Sequence, residues 1–387
     1  MSPHRTGNPF RVLVISHAYV TPFNRAKMEA ICATGEVDLT LLIPSRWEGP
    51  VPDSWPGAPY RLVKRSITFP GHGGGYWFSR GLGTILREFR PEIVHVEEEP
   101  WSVVAYQVAF WKKRLPFHYL LFSWENLPKN FGGLRGWMER RSLGALDFAL
   151  AGNEGAVAEL QRKGFSPERV AILPQLGVDP ERFKPREGAP SSPWTIGYAG
   201  RLVPEKGIDV LLGAASKLEG EFRLKLLGAG PLADDLKALA QRLGVEERTE
   251  FLGAVPHGEV AGFFQTLDVL VLPSVTTRQW AEQFGHVIIE AMACALPVVG
   301  SRSGAIPEVV GETGLLFPEG DAAALRDCLI RLRDDQGLSR DLGERGRQRV
   351  LKRYTWDQIA RSTLDVYRQL SDLDKRSLRT PDPLRSP

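Results

Sequence analysis

Short β-branched runs recur along this chain, separated by stretches whose apolar positions follow a helical period. Arg11-Val-Leu-Val-Ile-Ser16 ends in a polar loop, and Asp38-Leu-Thr-Leu-Leu-Ile43 repeats the pattern after a helical segment. Further runs at Ile93-Val-His-Val96, His118-Tyr-Leu-Leu-Phe122 and Phe148-Ala-Leu-Ala151 alternate with helical stretches such as Trp101 to Arg114. Continuous apolar runs predict strands covered on both faces, and their alternation with helices predicts a doubly wound parallel sheet.

Pro, Gly and Ser interrupt the pattern in Leu176-Gly-Val-Asp-Pro-Glu-Arg-Phe-Lys-Pro185 and the following Arg-Glu-Gly-Ala-Pro-Ser-Ser-Pro193, which predicts a linker. The α/β pattern then restarts with Thr195-Ile-Gly-Tyr-Ala199, Arg223-Leu-Lys-Leu-Leu-Gly228, Thr249-Glu-Phe-Leu252, Val269-Leu-Val-Leu272 and Pro297-Val-Val-Gly300. Residues 321–370 read as helical throughout. At 387 residues the chain exceeds what one hydrophobic core comfortably supports. The expectation is an α/β protein of two similar sheets facing each other across a cleft. Residues 1–185 form the first domain, 186–355 the second, 356–372 a C-terminal helix, and 373–387 a disordered tail.

Composition narrows the class. A hydrophobic share of 43% and a charged share of 25% are those of an ordinary globular protein. No apolar run approaches the roughly 18 residues of a membrane span. Met1-Ser-Pro-His-Arg-Thr-Gly-Asn-Pro-Phe10 lacks the apolar centre of a secretory signal. Cys32, Cys294 and Cys328 show neither metal spacing nor a disulfide pattern, so a cytoplasmic protein with reduced thiols is expected. A net charge of +3 does not call for a nucleic-acid partner. The basic surplus lies in residues 1–193, with 24 Lys/Arg against 19 Asp/Glu. There Phe110-Trp-Lys-Lys-Arg-Leu-Pro-Phe117 and Arg135-Gly-Trp-Met-Glu-Arg-Arg141 mix basic and aromatic residues. Such a mixture suits peripheral contact with an anionic membrane, on its inner face, or equally a set of solvated helix ends.

Candidate chemistry concentrates in Ala281-Glu-Gln-Phe-Gly-His-Val-Ile-Ile-Glu-Ala-Met-Ala-Cys-Ala-Leu-Pro-Val-Val-Gly300. Phe284-Gly285 predicts a tight turn, and His286 to Ala295 a short helix ended by Leu-Pro. Glu282 then precedes the helix and Glu290 lies inside it. Amides near Gly285 to Val287 offer a phosphate site. A carboxylate within reach can accept two hydrogen bonds from a ribose diol, each about 1.5–3 kcal/mol when charge-assisted. The bland alternative leaves Glu290 exposed and Glu282 merely favouring the helix N-terminus. Gly197-Tyr-Ala-Gly-Arg201-Leu-Val-Pro-Glu-Lys206-Gly207 follows a strand with a glycine turn. Arg201 and Lys206 can therefore project from a strand's carboxyl end, where two cations would neutralise a diphosphate leaving group.

Gly200-Arg-Leu-Val-Pro-Glu-Lys-Gly207, Leu227-Gly-Ala-Gly-Pro231, Phe251-Leu-Gly253, Leu272-Pro-Ser274, Glu282 and Glu290 with seven residues between them, and Ser303-Gly-Ala-Ile-Pro-Glu308 form an ordered set. As a set it resembles the donor-binding half of family 4 of the retaining glycosyltransferases, enzymes of the GT-B fold with two Rossmann-like domains. Gly177-Val-Asp-Pro-Glu-Arg-Phe183 resembles the family's stretch before the interdomain linker. The resemblance implies transfer of a sugar from a UDP- or GDP-sugar to a hydroxyl of a glycan or lipid-linked acceptor, with retained configuration, in polysaccharide or glycoconjugate synthesis. It also implies a last helix returning to the first domain. It puts Arg201 and Lys206 on the diphosphate, Glu290 on the ribose and Glu282 at the transferred sugar. Phe284, Gly285, His286 and Val287 would meet sugar and phosphate through their backbone. Gly228 and Gly230 would let the nucleotide approach, Phe251, Leu252, Gly253 and Val255 would lie beside the base, and Ser274 would join the donor site.

The first half departs from the family pattern. Ser16-His-Ala-Tyr-Val-Thr-Pro-Phe-Asn-Arg25 has no glycine where many members have a glycine-rich loop. Phe122-Ser-Trp-Glu-Asn-Leu-Pro-Lys129 stands where many carry a histidine, so Glu125 or Asn126 is the candidate catalytic replacement. His95, before the Glu97-Glu-Glu-Pro-Trp101 run, is another, with a buried structural role equally open. The Asp-x-Asp triplet Asp372-Leu-Asp374 falls in the expected tail, so neither a metal nor another cofactor is expected. Two competing functions remain. Leu227-Gly228-Ala-Gly230-Pro-Leu-Ala233 fits an NAD(P)-dependent Rossmann oxidoreductase, although Glu250 sits inside a strand rather than at its carboxyl end. A catalytically silent GT-B nucleotide-binding scaffold is opposed by the intact Arg201, Lys206, Glu282 and Glu290 set.

Overall fold

The computed structural model describes residues 9–49, 51, 57–188 and 192–377, with side chains through residue 372. Residues 189–191 of the expected linker and 378–387 of the expected tail lie outside the described residues. The chain forms two compact units, one of Met1–Gly152, Ala156–Gln175 and Trp356–Pro387, the other of Asn153–Gly155 and Leu176–Thr355.

In chain order the first unit carries β1 (Phe10–Ile15), α1 (Ala26–Ala33), β2 (Val37–Pro44), β3 (Arg61–Arg65), β4 (Ile67–Thr68), β5 (Trp77–Phe78) and α2 (Leu82–Phe89). These are followed by β6 (Ile93–Val96), α3 (Val103–Lys112), β7 (His118–Ser123), α4 (Gly133–Ala145), β8 (Phe148–Ala151), α5 (Glu154–Arg162) and β9 (Val170–Ile172). Its main sheet is parallel, in the order β3-β2-β1-β6-β7-β8-β9, and β4 and β5 form a small antiparallel pair. Leu13 and Ile15 join one hydrophobic cluster while Val12 and Val14 join another. Both faces of the sheet are therefore covered, which is why its strands read as continuous apolar runs.

The second unit carries β10 (Trp194–Ala199), α6 (Ile208–Ala215), β11 (Phe222–Leu227), α7 (Ala233–Arg242), β12 (Thr249–Gly253), α8 (Val260–Phe264) and β13 (Val269–Leu272). Then come α9 (His286–Ala293), β14 (Val298–Ser301), α10 (Ile306–Val310), β15 (Leu315–Phe317), α11 (Ala322–Asp334) and α12 (Gln336–Arg353). Its sheet is parallel in the order β12-β11-β10-β13-β14-β15. The last helix, α13 (Trp356–Ser377), belongs to the first unit, where it packs on α1 and adds Ile359, Leu364, Tyr367 and Leu370 to the cluster around Val12 and Val14.

Three departures from the sequence pattern have local causes. Val178 and Phe183 are fully buried and the Val178 N–H donates to the Tyr354 carbonyl at 2.9 Å, so the boundary falls at 175/176 rather than 185/186. The stretch 321–370 breaks at Asp335, whose side chain caps α12 by accepting the Leu338 N–H, and again at Tyr354–Thr355. The last helix runs on to Ser377, past its expected end at 372 and through the Asp372-Leu-Asp374 triplet.

In each sheet the strand order reverses once, between β1 and β6 and between β10 and β13. Loops at the carboxyl ends of such strand pairs are where doubly wound sheets bind ligands.

Candidate functional site

At the reversal point of the second unit, Lys206 ends a short 3-10 turn, Pro204–Lys206, and Gly207 enters α6 at φ 61. A Cβ on Gly207 would overlap the Pro273 carbonyl oxygen, so glycine lets this turn lie directly against the end of β13. The Lys206 ammonium then reaches Glu282 Oε2 at 2.6 Å, and Ser274 Oγ donates to the same oxygen at 2.9 Å. Glu282 is buried, and its carbonyl accepts the Ala305 N–H at 2.8 Å. The Trp280 ring lies 4.8 Å from Lys206 Nζ, a cation–π contact. Arg201 by contrast is exposed, its side chain 68% accessible and 3.6 Å from Glu205.

Glu290, inside α9, is buried, which overturns the alternative of an exposed carboxylate. Its Oε1 lies 2.8 Å from His257 Nε2 and 3.2 Å from His286 Nδ1. His286 Nε2 is 3.0 Å from the Gly177 carbonyl oxygen. A carboxylate and a carbonyl only accept, so this pair of partners calls for a proton on both nitrogens of His286. Burial by itself would lower the His286 pKa, but the Glu290 charge and these hydrogen bonds raise it. Burial would raise Glu290, but the His286 charge and the two imidazole contacts hold it at about 2.

Several residues expected at the donor take other tasks. A Cβ on Gly228, at φ 140, would overlap the Gly200 carbonyl oxygen, and one on Gly230 would overlap the backbone of Leu202. The protein's own backbone already requires glycine at both positions. Ser274 is fully buried, with its hydroxyl on Glu282 and its carbonyl accepting from Ser301 Oγ at 2.5 Å, so it supports Glu282 rather than facing a ligand. The Phe284 side chain is buried, with its ring edge against Tyr354, and anchors the turn in which Gly285 adopts φ 72 before His286 and Val287 open α9. Phe251, Leu252 and Gly253 form the end of β12 and Val255 follows it, with Leu252 and Gly253 exposed and open space around Gly253.

In the first unit the reversal brings the end of β1 beside Glu97-Glu98-Glu99. Glu97 and Lys27 form a fully buried ion pair at 2.6 Å, joined by Tyr19 O–H at 2.5 Å and Gln175 Nε2 at 2.8 Å. His95, a candidate catalytic residue, is instead a core residue: it is fully buried, with Nδ1 2.9 Å from Tyr367 Oη on α13. Burial, with Lys27 adding to it, lowers its pKa to about 3, so it is neutral. Glu125 is buried and paired with Lys129 at 2.6 Å, and Asn126 beside it is half-buried.

Sequence reasoning missed His17 and Glu98. Glu98 Oε1 accepts the His17 backbone N–H at 2.8 Å and the Tyr76 O–H at 2.6 Å, and the His17 ring nitrogen Nδ1 lies 2.7 Å away. Gly73-Gly74-Gly75 runs past this ring, where a Cβ on Gly73 would touch it. The available signal was a histidine directly after the first strand's end. Among the described residues no cluster of His, Cys, Asp or Glu could hold a metal ion, and no helix is long and apolar enough to cross a membrane.

Residues 179–349 match the family model described as Glycosyl transferases group 1, and residues 22–175 match the Glycosyl transferase 4-like domain. The D-inositol 3-phosphate glycosyltransferase of Streptomyces bingchenggensis is 34% identical over 253 residues, covering 59% of this chain and 54% of that protein. The chain spans about half to two-thirds of the length of the curated relatives it matches. Among solved structures, sucrose-phosphate synthase from Thermosynechococcus elongatus aligns with a TM-score of 0.75 at 23% identity, covering 94% of this chain and 100% of that one. HepE of Anabaena, in complex with UDP, aligns with a TM-score of 0.73 at 15% identity, covering 93% and 100%. The shared architecture is the GT-B fold, with two Rossmann-like domains.

Proposed function

Because the chain belongs to the group 1 glycosyltransferases, we propose that it transfers a sugar from a nucleoside diphosphate sugar to a hydroxyl of a glycan or lipid-linked acceptor, retaining the anomeric configuration. The observation that carries the proposal is the cluster of Lys206, Ser274 and Glu282 at the β10–β13 reversal, with Arg201 exposed beside it. Lys206 and Arg201 supply positive charge for a diphosphate whose negative charge grows as the bond to the sugar breaks. Glu282, held by Ser274, aligns the sugar. The departing phosphate takes the acceptor's proton on the same face, so neither an enzyme nucleophile nor a metal ion is needed. Because both histidines meet Glu290 at Oε1, its Oε2 is the oxygen for a ribose hydroxyl.

UDP is the first nucleotide to test, since HepE was solved with it, and GDP the second. Relatives named for colanic acid biosynthesis support a place in polysaccharide or glycoconjugate synthesis. In the first unit a groove of about 760 Å³ lined by Phe69, Trp101, Leu134, Arg135 and Met138 supports a lipid-linked acceptor and peripheral contact with an anionic membrane.

The test is calorimetric titration with UDP, GDP and ADP, together with transfer assays, on the wild type, Glu282→Ala and Glu290→Ala. Glu282→Ala abolishes transfer and leaves nucleoside diphosphate binding intact or tighter, since Lys206 is released. Glu290→Ala weakens that binding by about 1.5–3 kcal/mol, the loss of one charge-assisted hydrogen bond. A wild type that binds no nucleoside diphosphate would refute the proposal.

A further inference from the structure

The reversal point of the first unit holds a constellation that the donor reading leaves unassigned. The His17 ring stacks on Trp47, with centroids 4.5 Å apart and planes 25° apart, and the Tyr76 ring stands edge-on at 5.8 Å. Its Nδ1 lies 2.7 Å from Glu98 Oε1, which also accepts from the His17 backbone N–H and from Tyr76. Burial first, then the Glu98 charge, raises the Tyr76 pKa well above its ordinary value, so the phenol keeps the proton it donates. A carboxylate oxygen only accepts, so Nδ1 presents a proton to Glu98 and Nε2 is the ring nitrogen left for a ligand. The Glu98 side chain is 3% exposed and that of His17 33%: the orienting group is sealed and the oriented ring is open.

What borders the open edge narrows the ligand. A Cβ on Gly73 would sit 3.5 Å from His17 Cε1 and 3.6 Å from Nε2, so glycine keeps that flank bare. One on Gly74 would overlap the Trp101 ring, which closes the far side of the glycine run. A ring nitrogen set among aromatic rings and bare peptide suits a sugar, whose C–H face packs on aromatics and whose hydroxyls hydrogen-bond. An anion would meet the Glu98 carboxylate directly behind the ring.

We propose that His17 Nε2 accepts a hydrogen bond from a hydroxyl of a carbohydrate acceptor, with Glu98 fixing the tautomer and Trp47 backing the ring. The proposal rests on the glycosyltransferase reading and makes His17 a positioning residue for the acceptor.

The experiment uses the full chain labelled with ¹⁵N-histidine and titrated with the methyl glycosides of glucose, galactose, mannose and N-acetylglucosamine, with UDP and GDP as a separate arm. The expected results are a proton on Nδ1 of His17 and binding of at least one glycoside. His17→Phe, which keeps a ring on Trp47 but has no acceptor, should weaken that glycoside about tenfold, the loss of one hydrogen bond. Glu98→Gln should weaken it similarly and disturb the tautomer, and His17→Gln, which restores a donor and an acceptor, should recover part of the loss. All variants should bind the nucleoside diphosphate as the wild type does, which reports that they are folded. A wild-type proton on Nε2, no bound glycoside, or equal glycoside affinity in His17→Phe would overturn the proposal. Failure of the wild type to bind UDP and GDP would overturn the donor reading instead.

Discussion

Glu290 in the second unit and Glu99 in the first are both drawn out of water near the carboxyl edge of a doubly wound sheet, and their pKa values move in opposite directions. Burial penalises the charged form of each. At Glu290 the His286 charge and two imidazole contacts outweigh burial and hold the carboxylate at about 2. At Glu99 the Ser123 hydroxyl, the Trp124 N–H and the Lys163 charge do not, and burial, with the Glu125 charge adding to it, lifts it to about 7. Neutral donors soften desolvation, whereas a cation in direct contact reverses it. Glu97 repeats the second-unit pattern inside the first, because buried Lys27 keeps it below the ordinary range despite its burial.

The comparison can be broken most forcefully at Lys27. Lys27→Met leaves Glu97 buried without its counter-ion and is expected to destabilise the first unit by about 3–5 kcal/mol. Hydrogen exchange at β1 and β6 amides during urea unfolding measures this. A loss under about 1 kcal/mol would mean that Glu97 does not depend on the pair.

Next in size is Glu99→Gln, whose effect depends on pH. Folded Glu99 keeps a proton that the unfolded chain has released, so stability falls as pH rises from the ordinary carboxylate range towards 7. Gln removes that slope. The variant should melt about 2–4 °C above the wild type at alkaline pH, equivalent to about 1 kcal/mol, and match it in acid. Parallel calorimetric melting curves for the two proteins would argue against the neutral-donor explanation.

The smallest effect is expected from His257→Ala, which removes one of two histidines from Glu290 and should cost about 0.5–1.5 kcal/mol. Its pH profile sharpens the contrast. The Glu290 contribution is complete above the ordinary carboxylate range and is lost as pH falls towards about 2. The His286 contribution, from a raised pKa, is present below the ordinary histidine value and is lost as pH rises through the folded one. The variant should therefore lean more heavily on His286 and lose stability more steeply as pH rises. Identical alkaline limbs in the two proteins would show that the histidines do not share the carboxylate.

The proposed donor site was readable in the sequence because each of its pieces is contiguous. Gly200 to Gly207 forms one turn between β10 and α6, and Ala281 to Glu290 runs from a loop into α9, so spacing alone brought Lys206 and Glu290 to notice. The local reasons for Gly228, Gly230 and Ser274 were not legible. Gly228 answers to Gly200 and Gly230 to Leu202, segments that meet only once β10 and β11 pair. The His17 cluster was less visible still, since it gathers residues 17, 47, 76 and 98 from the ends of separate elements.

Alternating apolar runs and helical periods encode the two sheets locally, because a residue's neighbours in the chain decide whether two faces or one stripe must be buried. Which base or acid each carboxylate meets is decided only when the strand order reverses and brings distant loops together. Lys27 with Glu97, His17 with Glu98 and His257 with Glu290 are contacts of that second kind. Coulomb and hydrogen-bond energies act over a few ångströms of space, whatever the separation along the chain.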